Sequence, residues 1–242
     1  MINPKGMPTS NLAINDVYVL ARTAFAVIRY GIPFIKRALV AGNYFKKEGL
    51  GFGGFGRSKS VENMIQISRE LGLHQAKKVI LLDHHTGLGP SGTDTLAALG
   101  SKKADFADVM ATIDKTFPDE FDKENNQIVG GAKASDAEGS AMSGYDLTMG
   151  TTDFFCESWM SPHLSGTDRL CITQEFGTVD VVAVGRAQMN ENFAHHYGSD
   201  EQKKVYGDRL KGVFYVETKE WMRNVAHRGV TVFFQALQLI RE

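Results

Sequence analysis

The chain has 242 residues, of which 43% are hydrophobic and 23% are charged, a composition typical of a globular protein with a core of its own. Its formal net charge of −1 gives no bulk attraction to nucleic acid or to an anionic membrane surface. No apolar run reaches the roughly 18–20 residues of a membrane-spanning helix, and no signal peptide is recognisable after Met1. We therefore expect a soluble, cytoplasmic protein without nucleic-acid or membrane partners.

Two local features of the composition refine this picture. Cys156 and Cys171 are too few for a disulfide scaffold, suit a reducing compartment and are expected to be small core residues. The segment from Asp105 to Glu157 holds twelve acids and three bases. It is predicted to be a solvated insertion, at about residues 100–160 of a single domain spanning 1–242, with a cationic partner as the alternative.

The first predicted elements are helices. Apolar residues recur at helical spacing after a cap at Asn15 or Asp16, and Gly31 with the following Ile-Pro ends this helix. Further helices are predicted over residues 34–40 and 60–71. Between them, the glycine-rich stretch 49–56 is either a phosphate-binding loop or a tight loop with packed aromatic rings, and the lack of a P-loop ending favours the latter.

Two short apolar runs bounded by turn signals predict buried strands. The first run, Val79–Leu82, is followed by Asp83 and His85, and the second strand, Arg169–Gln174, is followed by Glu175. Strands separated by helices predict a three-layer α/β fold. The remaining predicted helices are residues 93–99, 180–198, 200–210 and 216 or 218–239. A sheet needs more than two strands, so further strands lie within residues 34–56, 125–155 and 210–216 or are absent.

His85 and Glu175 are the strongest candidates for chemistry. Side chains alternate along a strand, so Asp83 and His85 share a face and His84 points away. If the two strands are neighbours, His85 and Glu175 project into one crevice, where a cation-binding histidine and a general base favour metal-assisted hydrolysis. The alternative is that Asp83 and His85 satisfy loop backbone groups and Glu175 pairs with an arginine.

A second histidine pair lies on a predicted helix. Glu191 and His195 are four residues apart and therefore share a helix face. They are either a metal-binding pair or ordinary polar residues on a helix surface, and this spacing without a full ligand set favours the second interpretation.

Four ordered motifs, spread over about residues 30–240, occur together: Gly42-Asn43-Tyr44 with the glycines that follow, the segment from Asp83 to Gly92, Glu175-Phe176-Gly177-Thr178, and the helix from Arg186 to Gly198. Together they resemble an uncharacterised family related to the zinc carboxypeptidases and to the aspartoacylase and succinylglutamate desuccinylase enzymes. The resemblance implies a three-layer αβα fold with a mixed sheet, a catalytic zinc, and hydrolysis of a small amide or peptide. It makes His85 the last zinc ligand and Glu175 the catalytic glutamate.

The chain departs from this family at its start. The family takes its first two zinc ligands from a His-Gly-x-Glu motif, which is missing here, so we expect an N-terminally truncated domain with an incomplete zinc site. The family arginine that holds a substrate carboxylate is matched only weakly by Arg22. A substitute ligand set of Asp83, His85, Glu191 and His195 requires the 190s helix to reach the strand ends.

Two consequences follow from these departures. The chain is expected to be a hydrolase-like domain with impaired catalysis, and the alternative is a non-catalytic remnant of the fold that binds a small molecule or a protein. Missing central strands would also leave a sheet edge exposed, which predicts a homo-oligomer that covers this edge.

Overall fold

The computed structural model of the chain describes residues 11–31, 42–98, 111–112, 115–116, 129–130 and 152–241. The predicted helix at 34–40 and most of the acidic insertion lie outside these residues. The chain divides into two compact units, residues 1–56 with 179–217 and residues 57–178 with 218–242. The assignment of the whole chain to one domain stays a prediction.

The described residues form an α/β structure with a small mixed sheet and several helices. A π-helical turn at Cys156–Met160 directly follows the third helix. No helix among the described residues is long and apolar enough to cross a membrane. In chain order the elements are α1 (Leu12–Tyr30), α2 (Lys59–Glu70), β1 (Val79–Gly87), β2 (Asp94–Ala98), β3 (Val129–Gly130), α3 (Thr152–Phe155), β4 (Arg169–Gly177), α4 (Val181–Tyr197), α5 (Asp200–Phe214) and α6 (Lys219–Arg241).

The first helix begins earlier than predicted. The Asn11 side chain accepts hydrogen bonds from two backbone N–H groups of the first turn and is therefore the N-cap. The predicted caps lie inside the helix instead: Asn15 is buried, and Asp16 forms an ion pair with Arg209 at 2.9 Å. The helix ends at Gly31, as predicted, where φ is +79°.

The first unit packs α1 and α5 against α4. Val19 of α1 contacts Met189 and Phe193 of α4 in a small buried cluster. In the glycine-rich loop the rings of Phe52 and Phe55 pack edge to face, 5.0 Å between centroids. The Phe55 ring is nevertheless 86% exposed, so the choice between a tight loop and a phosphate-binding loop stays a prediction.

The second unit contains the sheet, whose strand order is β1-β4-β2-β3. β1 and β4 are parallel, β4 and β2 are antiparallel, and β2 and β3 are parallel, so the sheet is mixed. Within the described part of the chain β1 forms one edge of this sheet. A homo-oligomer formed through this edge stays a prediction.

Helices cover both faces of this sheet. On one face Val232 and Ala236 of α6 pack against Leu96 and the β4 residues Leu170 and Ile172. On the other face α2 and the turn after α3 pack against both strands, in a cluster of Ile65, Val79, Phe155, Cys156 and Met160, with Leu81 and Cys171 at its border. The alternation of apolar residues along β1 and β4 supplies both surfaces.

One secondary-structure prediction is wrong. Residues 93–99 were expected to be helical, but Asp94–Ala98 form strand β2, because pairing with β4 overrides the helix propensity of Leu and Ala. Of the segments that could hold further strands, 125–155 contains β3, whereas α5 continues through the start of 210–216 to Phe214.

Candidate functional site

The site lies on β1 and β4, whose parallel register places His85 directly opposite Glu175. Both strands are longer than predicted, so Asp83, His85 and Glu175 lie inside the strands and not after their ends. Because these residues occupy alternate positions in register, their side chains project from one face of the sheet. His84 lies on the opposite face, where its ring stacks on Phe176 at a centroid distance of 6.5 Å.

The imidazole of His85 has a carboxylate at each of its two ring nitrogens. Nε2 is 3.0 Å from Oδ2 of Asp83, and Nδ1 is 3.6 Å from Oε2 of Glu175. The Thr152 hydroxyl donates a hydrogen bond to the same Oδ2 and helps to fix the Asp83 carboxylate. The ring is about half exposed, at 49%, so solvent or a ligand reaches it.

The Glu175 carboxylate is buried and oriented by the loop after β1. The backbone N–H of Leu88 donates a hydrogen bond of 2.9 Å to Oε1, while Oε2 faces the imidazole. The Thr178 hydroxyl donates to the carbonyl oxygen of Gly87 and ties the ends of the two strands together. The loop from Gly87 onward is therefore part of the site.

We expect Gly177→Ala to destabilise the second unit by about 1–3 kcal/mol, because the loop crosses this glycine without room for a methyl group. A Cβ at Gly177 would collide with the Pro90 carbonyl oxygen and lie 2.5 Å from the Gly89 carbonyl group. Urea unfolding measures the change, as a lower transition midpoint at unchanged slope.

Gly229→Ala is the matched control, because this glycine lies within α6 of the same unit and a Cβ there meets no atom within 4 Å. An alanine in an open helical position is expected to stabilise by up to about 1 kcal/mol. Equal effects of the two substitutions would contradict the tight crossing at Gly177.

The family of the chain follows from a comparison with known sequences. A family model described as "Protein of unknown function (DUF2817)" matches residues 2–228. The chain belongs to this family. No curated protein and no solved structure matched it. The DUF2817 match includes His85, Glu175 and all the other candidate site residues.

The site on β1 and β4 offers a zinc ion one imidazole and two carboxylates. A catalytic zinc has three protein ligands and one open position. Asp83 and Glu175 lie at opposite edges of the His85 ring, so their oxygens do not converge on one point with a ring nitrogen. Among the described residues no group of three or more His, Cys, Asp or Glu is placed to hold a metal ion. These residues alone do not complete a catalytic zinc site.

The other sequence candidates lie in the first unit. Glu191 and His195 face each other on α4, with 4.0 Å between Oε1 and Nδ1. Arg22 on α1 donates a hydrogen bond of 3.2 Å to the Tyr18 hydroxyl and lies over its ring at 5.5 Å. Because these residues and the His85 group belong to different compact units, a shared ligand set and a substrate contact of Arg22 stay predictions.

Sequence reasoning missed two groups that hold the site. Thr152 follows a long polar segment without periodicity, and nothing in that pattern links it to Asp83. The Leu88 N–H is a backbone donor in a glycine-rich loop, and such donors leave no residue-specific signal. Both groups became visible only through contacts between distant parts of the chain.

The His85–Asp83 pair is expected to make the stability of the metal-free chain depend on pH. The hydrogen bond with Asp83 raises the pKa of His85 above 6.5 against the opposing effect of burial, and the charges of Asp83 and Glu175 add to it. The same hydrogen bond lowers the pKa of Asp83 below 3.8 against burial, aided by Thr152. The contribution should be largest between about pH 3.8 and 6.5.

Above that window the contribution is lost as pH rises through the raised pKa of His85, and below it as pH falls through the lowered pKa of Asp83. Because the imidazole is half exposed, we expect the pair to contribute only about 1 kcal/mol to the free energy of unfolding. Urea unfolding of wild type and His85→Ala at several pH values measures it. In an Asp83→Asn background, the stability difference between the chains with and without His85 should vary little with pH. A pH dependence that persists there would contradict the assignment to this pair.

A second polar group lies on the opposite face of the sheet, and sequence reasoning missed it as well. Asp94 is 1% exposed and accepts hydrogen bonds from Gln174 Nε2 at 2.6 Å and from Arg228 Nε at 2.9 Å. Gln174 precedes Glu175 on β4, so this cluster lies directly behind the site strand. It anchors α6 and β2 to the strand that carries Glu175.

Proposed function

We propose that this DUF2817 chain is a hydrolase domain of the metallocarboxypeptidase kind that cleaves an amide bond in a small acylated amino acid or a peptide. In this proposal Glu175 is the general base and His85 occupies a zinc-ligand position. The single observation that carries it is the register pairing of His85 with Glu175, with 3.6 Å between Nδ1 and Oε2. The proposal includes the carboxypeptidase-like αβα fold, which the helices on both faces of the mixed sheet support.

The contacts of His85 suit it to bind a cation through Nδ1. A metal-binding histidine commonly donates its other ring N–H to a carboxylate, which fixes the tautomer and the ring orientation. Asp83 lies in that position, 3.0 Å from Nε2. Donation from Nε2 leaves the lone pair of Nδ1 directed toward the Glu175 side of the site.

Glu175 has the environment of a general base. Its Oε1 is held by the Leu88 N–H, while Oε2 lies on the side of the imidazole. In the proposed reaction the carboxylate takes a proton from the attacking water and passes it to the leaving nitrogen as the carbon–nitrogen bond breaks. Because the described residues do not complete a zinc ligand set, these proton transfers are assigned to Glu175 and water alone.

That incomplete ligand set favours a second candidate function. Without a catalytic metal, the same face of the sheet would keep a half-exposed imidazole beside two carboxylates. Such a site binds cationic or hydrogen-bonding groups of a small molecule or a protein without cleaving a bond. We therefore propose a non-catalytic binding domain of the same fold as the alternative.

Zinc stoichiometry separates the two candidates. The purified chain and two variants, His85→Ala and His84→Ala, are equilibrated at a buffered, near-physiological free zinc concentration, and bound zinc is measured by mass spectrometry. His84 is the matched control because it is the adjacent histidine of β1 on the opposite face. The hydrolase proposal predicts about one zinc per chain in wild type and His84→Ala and none in His85→Ala.

Each outcome decides between the candidates. Zinc binding that is lost in His85→Ala would support the hydrolase and would be followed by hydrolysis assays on acylated amino acids and peptides. Wild type without bound zinc, or zinc binding unaffected by His85→Ala, would overturn the zinc hydrolase and leave the binding domain as the function to test.

A further inference from the structure

The two cysteines of the chain lie side by side beneath the candidate site. Sγ of Cys156 is 3.5 Å from Sγ of Cys171, although fifteen residues separate them in sequence. Cys156 begins the π-helical turn Cys156–Met160, and Cys171 lies on β4, on the same face as Glu175. Two thiols in contact across two elements form a pair that can be oxidised.

We propose that Cys156 and Cys171 are a reversible redox modification site at which an intrachain disulfide links the π-helical turn to β4. A disulfide requires an Sγ–Sγ distance of about 2.05 Å, so the sulfur atoms must approach by about 1.5 Å. The turn is suited to this movement, because a single π turn contains an extra residue and is often found at functional sites. The Ser161 N–H, which donates to the Cys156 carbonyl oxygen, closes this turn.

The accessibility of the two thiols sets the order of the reaction. Cys156 is 1% exposed, whereas Cys171 is only partly buried. The Cys171 thiolate attacks a low-molecular-weight disulfide such as oxidised glutathione, forms a mixed disulfide and releases one small thiol. Cys156 then loses its proton, attacks Sγ of Cys171 and expels the second small thiol. Two protein thiols are oxidised and one small disulfide is reduced to two thiols.

The disulfide would lie one helical turn away from Thr152, which orients the Asp83 carboxylate of the candidate site. Thr152, whose hydroxyl bonds to Asp83, is four residues before Cys156 and therefore on the same side of the helix. Oxidation draws this turn toward β4 and changes the position from which Thr152 reaches Asp83. An effect on hydrolysis rests on the proposed function, whereas formation of the disulfide does not.

The test is redox titration of the natively folded chain with mixtures of oxidised and reduced glutathione, followed by alkylation and intact mass measurement. We expect loss of both alkylatable thiols, a mass decrease of about 2 Da and full reversal by excess reduced thiol. Peptide mapping then identifies the Cys156–Cys171 link, and non-reducing electrophoresis excludes a link between chains.

Single-cysteine variants test the order of attack. With Cys156→Ala or Cys156→Ser no second thiol is present, so Cys171 should accumulate as a glutathione adduct of about 305 Da. Cys171→Ser should react much more slowly, because the remaining thiol is buried. Two alkylatable thiols throughout the titration, a disulfide that forms only in denaturant, or links only between chains would overturn the proposal. Each of these results leaves the zinc and hydrolysis assays unaffected, so the two proposals fail separately.

Discussion

Asp94→Ala is expected to lower the free energy of unfolding of the second unit by about 3–5 kcal/mol. The substitution removes a carboxylate that is almost fully buried, together with the hydrogen bonds that it accepts from the Arg228 guanidinium and the Gln174 amide. Removing one partner of a buried ion pair costs much more than breaking a surface pair. Urea unfolding followed by circular dichroism gives the change.

Two comparisons make this prediction specific. Glu62→Ala removes an acid of the same unit from an exposed pair with Lys59, and should cost about 0.5 kcal/mol or less. Asp94→Ala combined with Arg228→Leu should lose less than the sum of the two single substitutions, because each single substitution already breaks the ion pair that the two residues share. Additive losses, or a small loss for Asp94→Ala alone, would show that the buried pair contributes little to the fold.

The strands that carry the candidate site could be predicted, but their ends could not. Apolar runs bounded by turn residues indicated both β1 and β4. Hydropathy fails beyond Leu82 because the strand continues through polar residues. There the backbone pairs in register with the neighbouring strand, Asp83 opposite Thr173 and His85 opposite Glu175. These hydrogen bonds depend on the partner strand and leave no mark in the local sequence.

In strand β2, which was predicted to be a helix, distant partners change the type of element and not only its ends. Leu96, Ala97 and Ala98 are good helix formers, and local propensity therefore favours a helix. Antiparallel pairing with β4 overrides it. The same pairing buries Asp94 against Arg228, 134 residues further along the chain, a separation at which sequence patterns carry no information about contact.

The helices of the first unit illustrate what local chemistry does determine. Spacing of apolar residues placed α1, and the helix predicted over residues 180–198 is α4, whose N-cap is Asp180. The predicted start of α1 was too late because Asn11, Asn15 and Asp16 are all residue types that can cap a helix. Only the tertiary structure, in which Asn15 is buried inside the helix, excludes Asn15 as the cap. Apolar periodicity therefore predicts that a helix exists more reliably than capping residues predict where it begins.

Glu175→Gln is expected to reduce the catalytic rate of amide hydrolysis by about 10²- to 10⁴-fold, the usual contribution of a general base. Glutamine keeps the shape of the side chain and an oxygen that can accept the Leu88 N–H, so the loop after β1 should stay in place. It cannot take a proton from water. Steady-state kinetics on acylated amino acids and short peptides should therefore show a lower kcat with a nearly unchanged KM.

Glu62→Gln is the matched control, because it makes the same substitution on the exposed surface of α2, and it should retain full activity. Unfolding of Glu175→Gln in urea must remain close to wild type, so that lost activity reflects the missing proton acceptor and not a disturbed sheet. Full activity in Glu175→Gln would remove this residue from the reaction. A wild-type chain that cleaves none of these amides would instead overturn the hydrolase proposal, because the geometry of His85 and Glu175 would then serve binding alone.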